Sequence, residues 1–393
     1  MAVWMEYEQF RKQIEEGADI EARAPCPAES DAGGSTPYWV ANYPIEFEVE
    51  AENAALPARV DVAIIGSGIT GAVVAYELSR QKPNLNVAVL EARGICTGAT
   101  GRNGGHVSRP ETYDMRYLAQ FFGDDEAIRL RRLPILTRDM LLQTVEDIGA
   151  GGKVDLQLGG TYNIFGSQEE RQDNENDMAY AKRIGMPIES YIMSGDELSQ
   201  RIGVEADTAM YGAAVLEKFG SFYPRKFVAE LFAHSLKRMP NLSLHSHTPV
   251  SSVTQDENGI EYTVGTSEGS IKARAVVHAT NAWASHLIPS LQGSNGVFGV
   301  KCHVISVHPT SPDHKQFKCG FGYDRMWHWG IRRPGCGPLI YGWSGTEKIA
   351  DYDDSTIVTQ EEAYKTMFDF LHKVLPSPPS TRPSGERGSW ISI

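Results

Sequence analysis

The chain has 393 residues, 41% of them hydrophobic, enough for full cores in two domains that share an interface. Its formal charge of −13 offers no basic stripe to nucleic acid or to an anionic membrane surface. The five cysteines (Cys26, Cys96, Cys302, Cys319, Cys336) are scattered, odd in number and without a C-x-x-C pair, which argues against a disulfide framework or a zinc site; no metal is expected.

The first residues are acidic and lack the apolar stretch of a secretory signal, and no apolar run approaches membrane-spanning length, so a cytoplasmic protein is expected. Residues 4–16 have the pattern of a short amphipathic helix, and 25–37 are rich in Pro, Gly, Ser and Asp and read as a loop. Tyr38, Trp39 and Tyr43 are the residues expected to pack this N-terminal extension onto the body.

Residues 60–65 are apolar and β-branched, the pattern of a buried parallel strand. The next six, Gly66-Ser67-Gly68-Ile69-Thr70-Gly71, spell G-x-G-x-x-G and lead into helix formers over 72–80. Gly66 allows the tight turn, Gly68 a close approach of the main chain to a pyrophosphate, and Gly71 close packing of helix on strand. A second strand over 87–90 ends in Glu91, whose carboxylate is placed to accept both hydroxyls of an adenosine ribose, with Ala92 and Arg93 following. A lone glycine motif is weak, but two strands, helix and acid in register describe a dinucleotide grip.

Directly after the acidic strand comes Thr97-Gly98-Ala99-Thr100-Gly101-Arg102-Asn103-Gly104-Gly105. Ordinary NAD dehydrogenases usually have no second glycine-rich loop there. Such a loop lets backbone N–H groups reach a larger, buried ring system, with Arg102 adding charge near phosphate or flavin. With these residues on the page, the chain resembles the D-amino-acid-oxidase-like family of FAD-dependent amine and amino-acid oxidases. The glycine/sarcosine and γ-glutamylputrescine oxidase branch carries a similar G-A-S-G-R-N-G-G loop, and the resemblance runs from about residue 60 to about residue 343.

Farther along, 115–149 reads as a helical stretch broken at Pro134, 156–165 as a strand, and 169–183 as a charged helix with a mostly solvated face. Pro224 opens a helix over 225–238. Short strand-like pieces follow at 242–245, 249–253, 260–264 and 270–273, and 275–280 reads as one more buried strand running into Asn281-Ala282-Trp283. Spacing alone fits an ordinary meander equally well. The resemblance implies that Val250 holds the adenine through its backbone and that Thr280 and Asn281 meet the cofactor.

Two strands around Trp327-His328-Trp329-Gly330-Ile331-Arg332 and Leu339-Ile340-Tyr341-Gly342-Trp343 suggest a hairpin. By resemblance Arg332 matches the arginine of the family's flavin-side hairpin. Trp327, Trp329, Tyr341 and Trp343 are then candidate walls of a substrate cage, although packing is the commoner role for such residues. His328 reads as structural. In the family's covalent members the flavin-linked histidine falls where this chain has Asn103, so His106 is not expected to carry a covalent flavin.

The fold implied is α/β: a Rossmann-like FAD-binding domain of the D-amino-acid-oxidase type with a discontinuous α+β substrate domain on a mostly antiparallel sheet. Its expected parts are an extension (1–58), an FAD-binding domain (59–110 and 220–293), a substrate domain (111–219 and 294–375) and a tail (376–393). The tail stops about where the family adds its last FAD-contacting segment, from which weakened flavin retention is expected. The implied activity is oxidation of a C–N bond of an amine or amino acid by hydride transfer to flavin, with oxygen as acceptor. The alternatives are a dehydrogenase with another acceptor, or a non-catalytic flavin-binding or regulatory protein.

Overall fold

The structure, a computed structural model, describes residues 10–27, 36–107, 112–308, 320–335, 337–352, 361–374 and 389–392. Parts of the helix expected over 4–16 and of the loop over 25–37, and the proline-rich 376–383, lie outside them.

Strand Arg59–Ile65 sits inside a six-stranded sheet, parallel to Val87–Leu90 on one side and to Gly269–His278 on the other. Both of its faces are covered, which explains a run of β-branched residues without polar alternation. Helix Ile69–Gln81 lays Ala72, Ala75, Tyr76 and Ser79 inward at helical spacing and packs on helix Pro224–Arg238, whose Phe227, Val228, Leu231 and Phe232 join the same core. Gly71 makes that approach possible, since a β-carbon there would collide with the Gly66 carbonyl oxygen.

Two expected pieces, 270–273 and 275–280, form one strand, Gly269–His278. Its first half pairs antiparallel with Tyr262–Thr266, while from Lys272 onward it runs parallel to Arg59–Ile65. No turn residue interrupts 270–278, so nothing stops the strand from serving both neighbours.

The second sheet is mostly antiparallel. Its order is Lys348–Ile349, Val300–Val307, Leu339–Trp343, His328–Arg332, Gly320–Tyr323, Thr161–Ile164, Ala213–Leu216 and Tyr191–Met193, and Ser389–Ser392 also pairs with Val300–Val307. The exception to antiparallel pairing is Gly320–Tyr323 against Thr161–Ile164. The expected hairpin is there, with His328 opposite Trp343 and Arg332 opposite Leu339.

Two helical expectations need correction. The stretch from Met115 breaks at Gly123, which has φ +81°, into Met115–Phe122 and Asp124–Asp147, and Pro134 lies inside the second helix. Gly123 adopts the left-handed backbone cheaply, whereas Pro134 forfeits one hydrogen bond in a helix otherwise held by its buried Ala127, Arg131, Arg138 and Val145. Helix Gln168–Arg183 is not simply a solvated face either. Glu170, Asn174 and Asp177, at i, i+4 and i+7, are buried, with Glu170 accepting from the Gly166 and Arg325 N–H groups at 2.7 Å each.

Behind the hairpin lies a histidine core. His328 stacks on Phe370 at 3.7 Å between ring centres and shares a 2.6 Å hydrogen bond with the Tyr341 hydroxyl. Burial pushes both His328 and His303 down to about 4, so they are neutral at pH 7. A histidine whose folded value lies below its unfolded value of about 6.5 leaves stability intact above that pH. Stability is then lost as the pH falls from there toward 4. Melting temperature is expected to fall over that window, by about 2–3 kcal/mol of stability per histidine. The drop should shrink in His303→Gln, and a flat profile between pH 6.5 and 4 would contradict this assignment.

Candidate active site

The carboxyl ends of the parallel strands, the loop after Glu91 and the start of helix Ile69–Gln81 enclose a cavity of about 440 Å³. Gly66, Gly68, Ile69 and Thr70 line its floor, Glu91, Ala92 and Arg93 one wall, and Val250, Thr280 and Asn281 another. Thr100 and Asn103 reach it from the second glycine loop. A crevice at the strand ends beside a helix N-terminus is where an open α/β sheet holds a nucleotide.

Glu91 pins this corner. One carboxylate oxygen accepts from the Ser67 N–H at 2.9 Å and the Ser67 hydroxyl at 2.6 Å, and the other accepts from the Arg93 N–H at 3.0 Å. A carboxylate offers about four acceptor positions. One therefore remains for a ribose hydroxyl, rather than the two the sequence suggested. The Ser67 hydroxyl also accepts from the Cys96 N–H at 2.9 Å, which ties the two glycine loops together.

Some expected contacts are supports instead. Ser67, Gly71, Gly101 and Arg102 stand behind the cavity wall. Ser67 is fully buried under Glu91, Gly101 has no room for a β-carbon against the Cys96 carbonyl oxygen, and Arg102 donates to the Thr97 carbonyl at 2.7 Å. Thr100 accepts from the Ile69 N–H at 3.0 Å, capping the helix from a distant loop.

The cavity is also lined by residues that were not singled out from the sequence as site residues. His278, Trp283 and His286 belong to it, and the Arg93 guanidinium lies 5.1 Å from the Trp283 ring centre. His278 and Trp283 fall in the segment read as running toward the cofactor, whereas His286 carries no local signal.

Through Ile69, Thr100 and Asn103 the first cavity continues into a second, of about 530 Å³, lined by Gly104, Gly105 and His106 from the glycine loop. Leu133, Pro134 and Leu141 of helix Asp124–Asp147 face that loop, with Phe219 and Phe222 alongside. His106 meets the Gly330 carbonyl at 3.2 Å, and burial holds its imidazole down to about 4.

The hairpin presents a different face to the loop than expected. Trp329 packs across Gly342 and against Gly104. Tyr341 is fully buried on the opposite face with His328 and Phe370, so it cannot wall a cage. Strand alternation puts Arg332 on the His328 side. Neither Arg332 nor Trp327 lines either cavity. On the Trp329 side is Arg333, which donates to Asp155 at 2.9 Å and to the Phe222 carbonyl at 3.1 Å, with its guanidinium 4.9 Å from the Trp39 ring centre.

Trp39 packs the N-terminal extension onto the body, as its sequence suggests, and in doing so also reaches the glycine loop. Fully buried, it donates its indole N–H to the Asn103 carbonyl at 2.5 Å, while the Tyr223 hydroxyl donates to the Trp39 carbonyl at 2.8 Å. Trp39→Phe removes that N–H and is expected to cost about 1 kcal/mol, seen as roughly fivefold weaker FAD uptake with an unchanged circular dichroism spectrum. Trp39→Ala opens a core cavity and should cost about 3–5 kcal/mol in denaturant unfolding. Unchanged FAD uptake in Trp39→Phe would show that the contact does not shape the loop.

The family model for FAD dependent oxidoreductases matches residues 61–390. The chain belongs to that family. It is 26% identical over 255 residues to the glycine oxidase of Geobacillus kaustophilus, a match covering 65% of this chain and 63% of that protein. It is 24% identical over 257 residues to the probable oxidoreductase OrdL of Haemophilus influenzae, over 64% of this chain and 56% of that one. The chain thus matches less than two thirds of the length of these relatives.

The fold is similar to the crystal structure of the Geobacillus kaustophilus glycine oxidase, with a TM-score of 0.66 at 20% identity over 86% of this chain and 82% of that one. The open form of NikD, described as an unusual amino acid oxidase, gives a TM-score of 0.61 at 15% identity over 85% and 82%.

The residues present fit FAD. Among the described residues, Thr280 Oγ1, His278 Nδ1 and His286 Nε2 are buried at the first cavity without a protein partner. A nucleotide's hydroxyl, phosphate and ring atoms can supply those partners. Gly66, at φ +108°, leaves no space for a β-carbon against the Ala279 carbonyl oxygen, so this turn is closed to any other residue.

Proposed function

We propose that the chain is an FAD-dependent oxidoreductase that oxidises a C–N bond of an amine or amino acid, with oxygen as the electron acceptor and the flavin held noncovalently. The observation carrying this reading is the pair of joined cavities, one at the helix N-terminus beside Glu91 and one walled by the second glycine loop. When bound, FAD supplies a two-electron acceptor that takes a hydride from the carbon bearing nitrogen, while the nitrogen sheds a proton to solvent and the product leaves as an imine.

The protein's part is placement. Glu91, Thr280 and Asn281 would hold the adenosine half, and the N-terminus of helix Ile69–Gln81 would face the pyrophosphate. Gly104 and Gly105, whose missing β-carbons make room for Trp329 and Trp39, would offer the ring a backbone wall, and the apolar wall opposite would exclude water from the reacting carbon. His106, its ring held by the backbone of Gly330 and Phe321, supports noncovalent attachment. The division into an FAD-binding domain (59–110 and 220–293) and a substrate domain (111–219 and 294–375) is part of the same proposal. Its support is that each main sheet draws its strands from one of these sets, apart from the paired Ser389–Ser392.

The reading is tested with FAD-loaded protein and a panel of amines and amino acids in an oxygen electrode. Oxygen uptake with matching hydrogen peroxide is expected. Flavin reduced by an amine under nitrogen but reoxidised only by an artificial acceptor would replace the oxidase with a dehydrogenase.

A further inference from the structure

The two cavities differ in how their polar groups are used. At the first, several buried polar atoms lack a protein partner, as a nucleotide site requires. At the second, polar side chains are already taken up by the backbone. Thr137 donates to the Leu133 carbonyl at 2.8 Å, and Asn103 donates to the Thr100 carbonyl at 3.1 Å while accepting from the Gly105 N–H at 2.7 Å.

Among the described residues, Arg138 is the one arginine or lysine lining that cavity, and its charge is fully engaged. It pairs with Glu189 at 2.6 Å and with Asp139 at 2.7 Å, its side chain is 4% exposed, and its guanidinium lies 4.6 Å from the Phe219 ring centre. Redirecting it to a substrate carboxylate would give up both of its ion pairs, a costly exchange for a buried guanidinium, although Glu189 would keep Lys218 at 2.9 Å. Opposite the glycine loop, the described lining is largely apolar, with Leu133, Pro134, Leu141, Phe219 and Phe222.

The rim continues this character. Leu133, Leu136 and Met140 follow one another at i, i+3 and i+7 on helix Asp124–Asp147 and are 58%, 50% and 70% exposed. An apolar approach leads from solvent to an apolar wall.

We propose that the second cavity accepts an amine whose nitrogen-bearing carbon carries an apolar or aromatic substituent, in preference to an amino acid held through its carboxylate. This rests on the flavin reading above and names the substrate class of that same site. Burial of the substituent against Phe219, Phe222 and Leu141 supplies the binding free energy, and a carboxylate in the same place loses its water without gaining a free cation from the described lining residues.

N-methylbenzylamine and sarcosine form a matched pair, since both are N-methyl amines and they differ in phenyl against carboxylate. Each is titrated under nitrogen into FAD-loaded protein while flavin absorbance is followed. Half-maximal bleaching by N-methylbenzylamine is expected at a concentration at least roughly tenfold below that for sarcosine. Leu133→Arg, which places a free guanidinium at the rim, should narrow or reverse that preference.

Equal or stronger response to sarcosine in the wild-type protein, or no response to N-methylbenzylamine, overturns the inference and leaves the flavin reading standing. A chain that takes up no FAD overturns both.

Discussion

Gly71→Ala is expected to yield a protein that no longer retains FAD and is destabilised by about 3 kcal/mol. The cause is backbone against backbone. The new methyl group meets the Gly66 carbonyl oxygen, and a carbonyl in a tight turn has no rotamer to escape into. Relief requires helix Ile69–Gln81 to lift from strand Arg59–Ile65, which moves its N-terminus away from the phosphate position and loosens Ala72 and Ala75 from the core. A melting curve and a flavin spectrum check the two halves separately. Gly151→Ala is the control, because its β-carbon would enter open space. Equal behaviour of the two variants would contradict the packing argument.

Glu91→Ala should have the second largest effect, with FAD affinity falling roughly a hundredfold, equivalent to about 2.7 kcal/mol. Removing the carboxylate takes the acceptor from the Ser67 N–H, the Ser67 hydroxyl and the Arg93 N–H together. An unpaired buried donor costs about 1–3 kcal/mol, and the ribose loses its acceptor as well. Because Ser67 also holds Cys96, the disturbance reaches the second glycine loop and therefore the ring side of the site. Glu91→Gln retains the shape and one acceptor oxygen, so it should lose less than Glu91→Ala. Isothermal titration with FAD ranks the three proteins. The account fails here if both variants bind FAD as the wild type does.

The nucleotide corner was legible because its requirements are local. Gly66, Gly68, Gly71 and Glu91 act through backbone geometry and one carboxylate within a single strand–turn–helix–strand unit, so spacing alone locates them. Ser67 misled for an instructive reason: it lies in the motif, yet its side chain turns inward to brace Glu91. The hairpin shows the limit of strand patterns. Pairing of His328–Arg332 with Leu339–Trp343 could be read from alternation and a Pro-Gly turn, but the side facing the glycine loop depends on what packs behind. Phe370, from a helix far along the chain, covers the His328 and Tyr341 face and leaves Trp329 toward Gly104. A one-residue choice of face therefore keeps Tyr341 away from the glycine loop. Trp39 and His286 reach the site from segments that carry no motif, and only tertiary packing brings them in.

Competition among nucleotides tests the central claim most directly. FAD bound to the wild-type protein is titrated with ADP, which shares the adenosine and diphosphate, and in parallel with FMN, which carries the flavin ring without them. With the adenosine diphosphate seated between Glu91 and the start of helix Ile69–Gln81, ADP displaces FAD, and FMN alone is held at least roughly tenfold more weakly than FAD. FMN bound as tightly as FAD, with no displacement by ADP, would contradict the account.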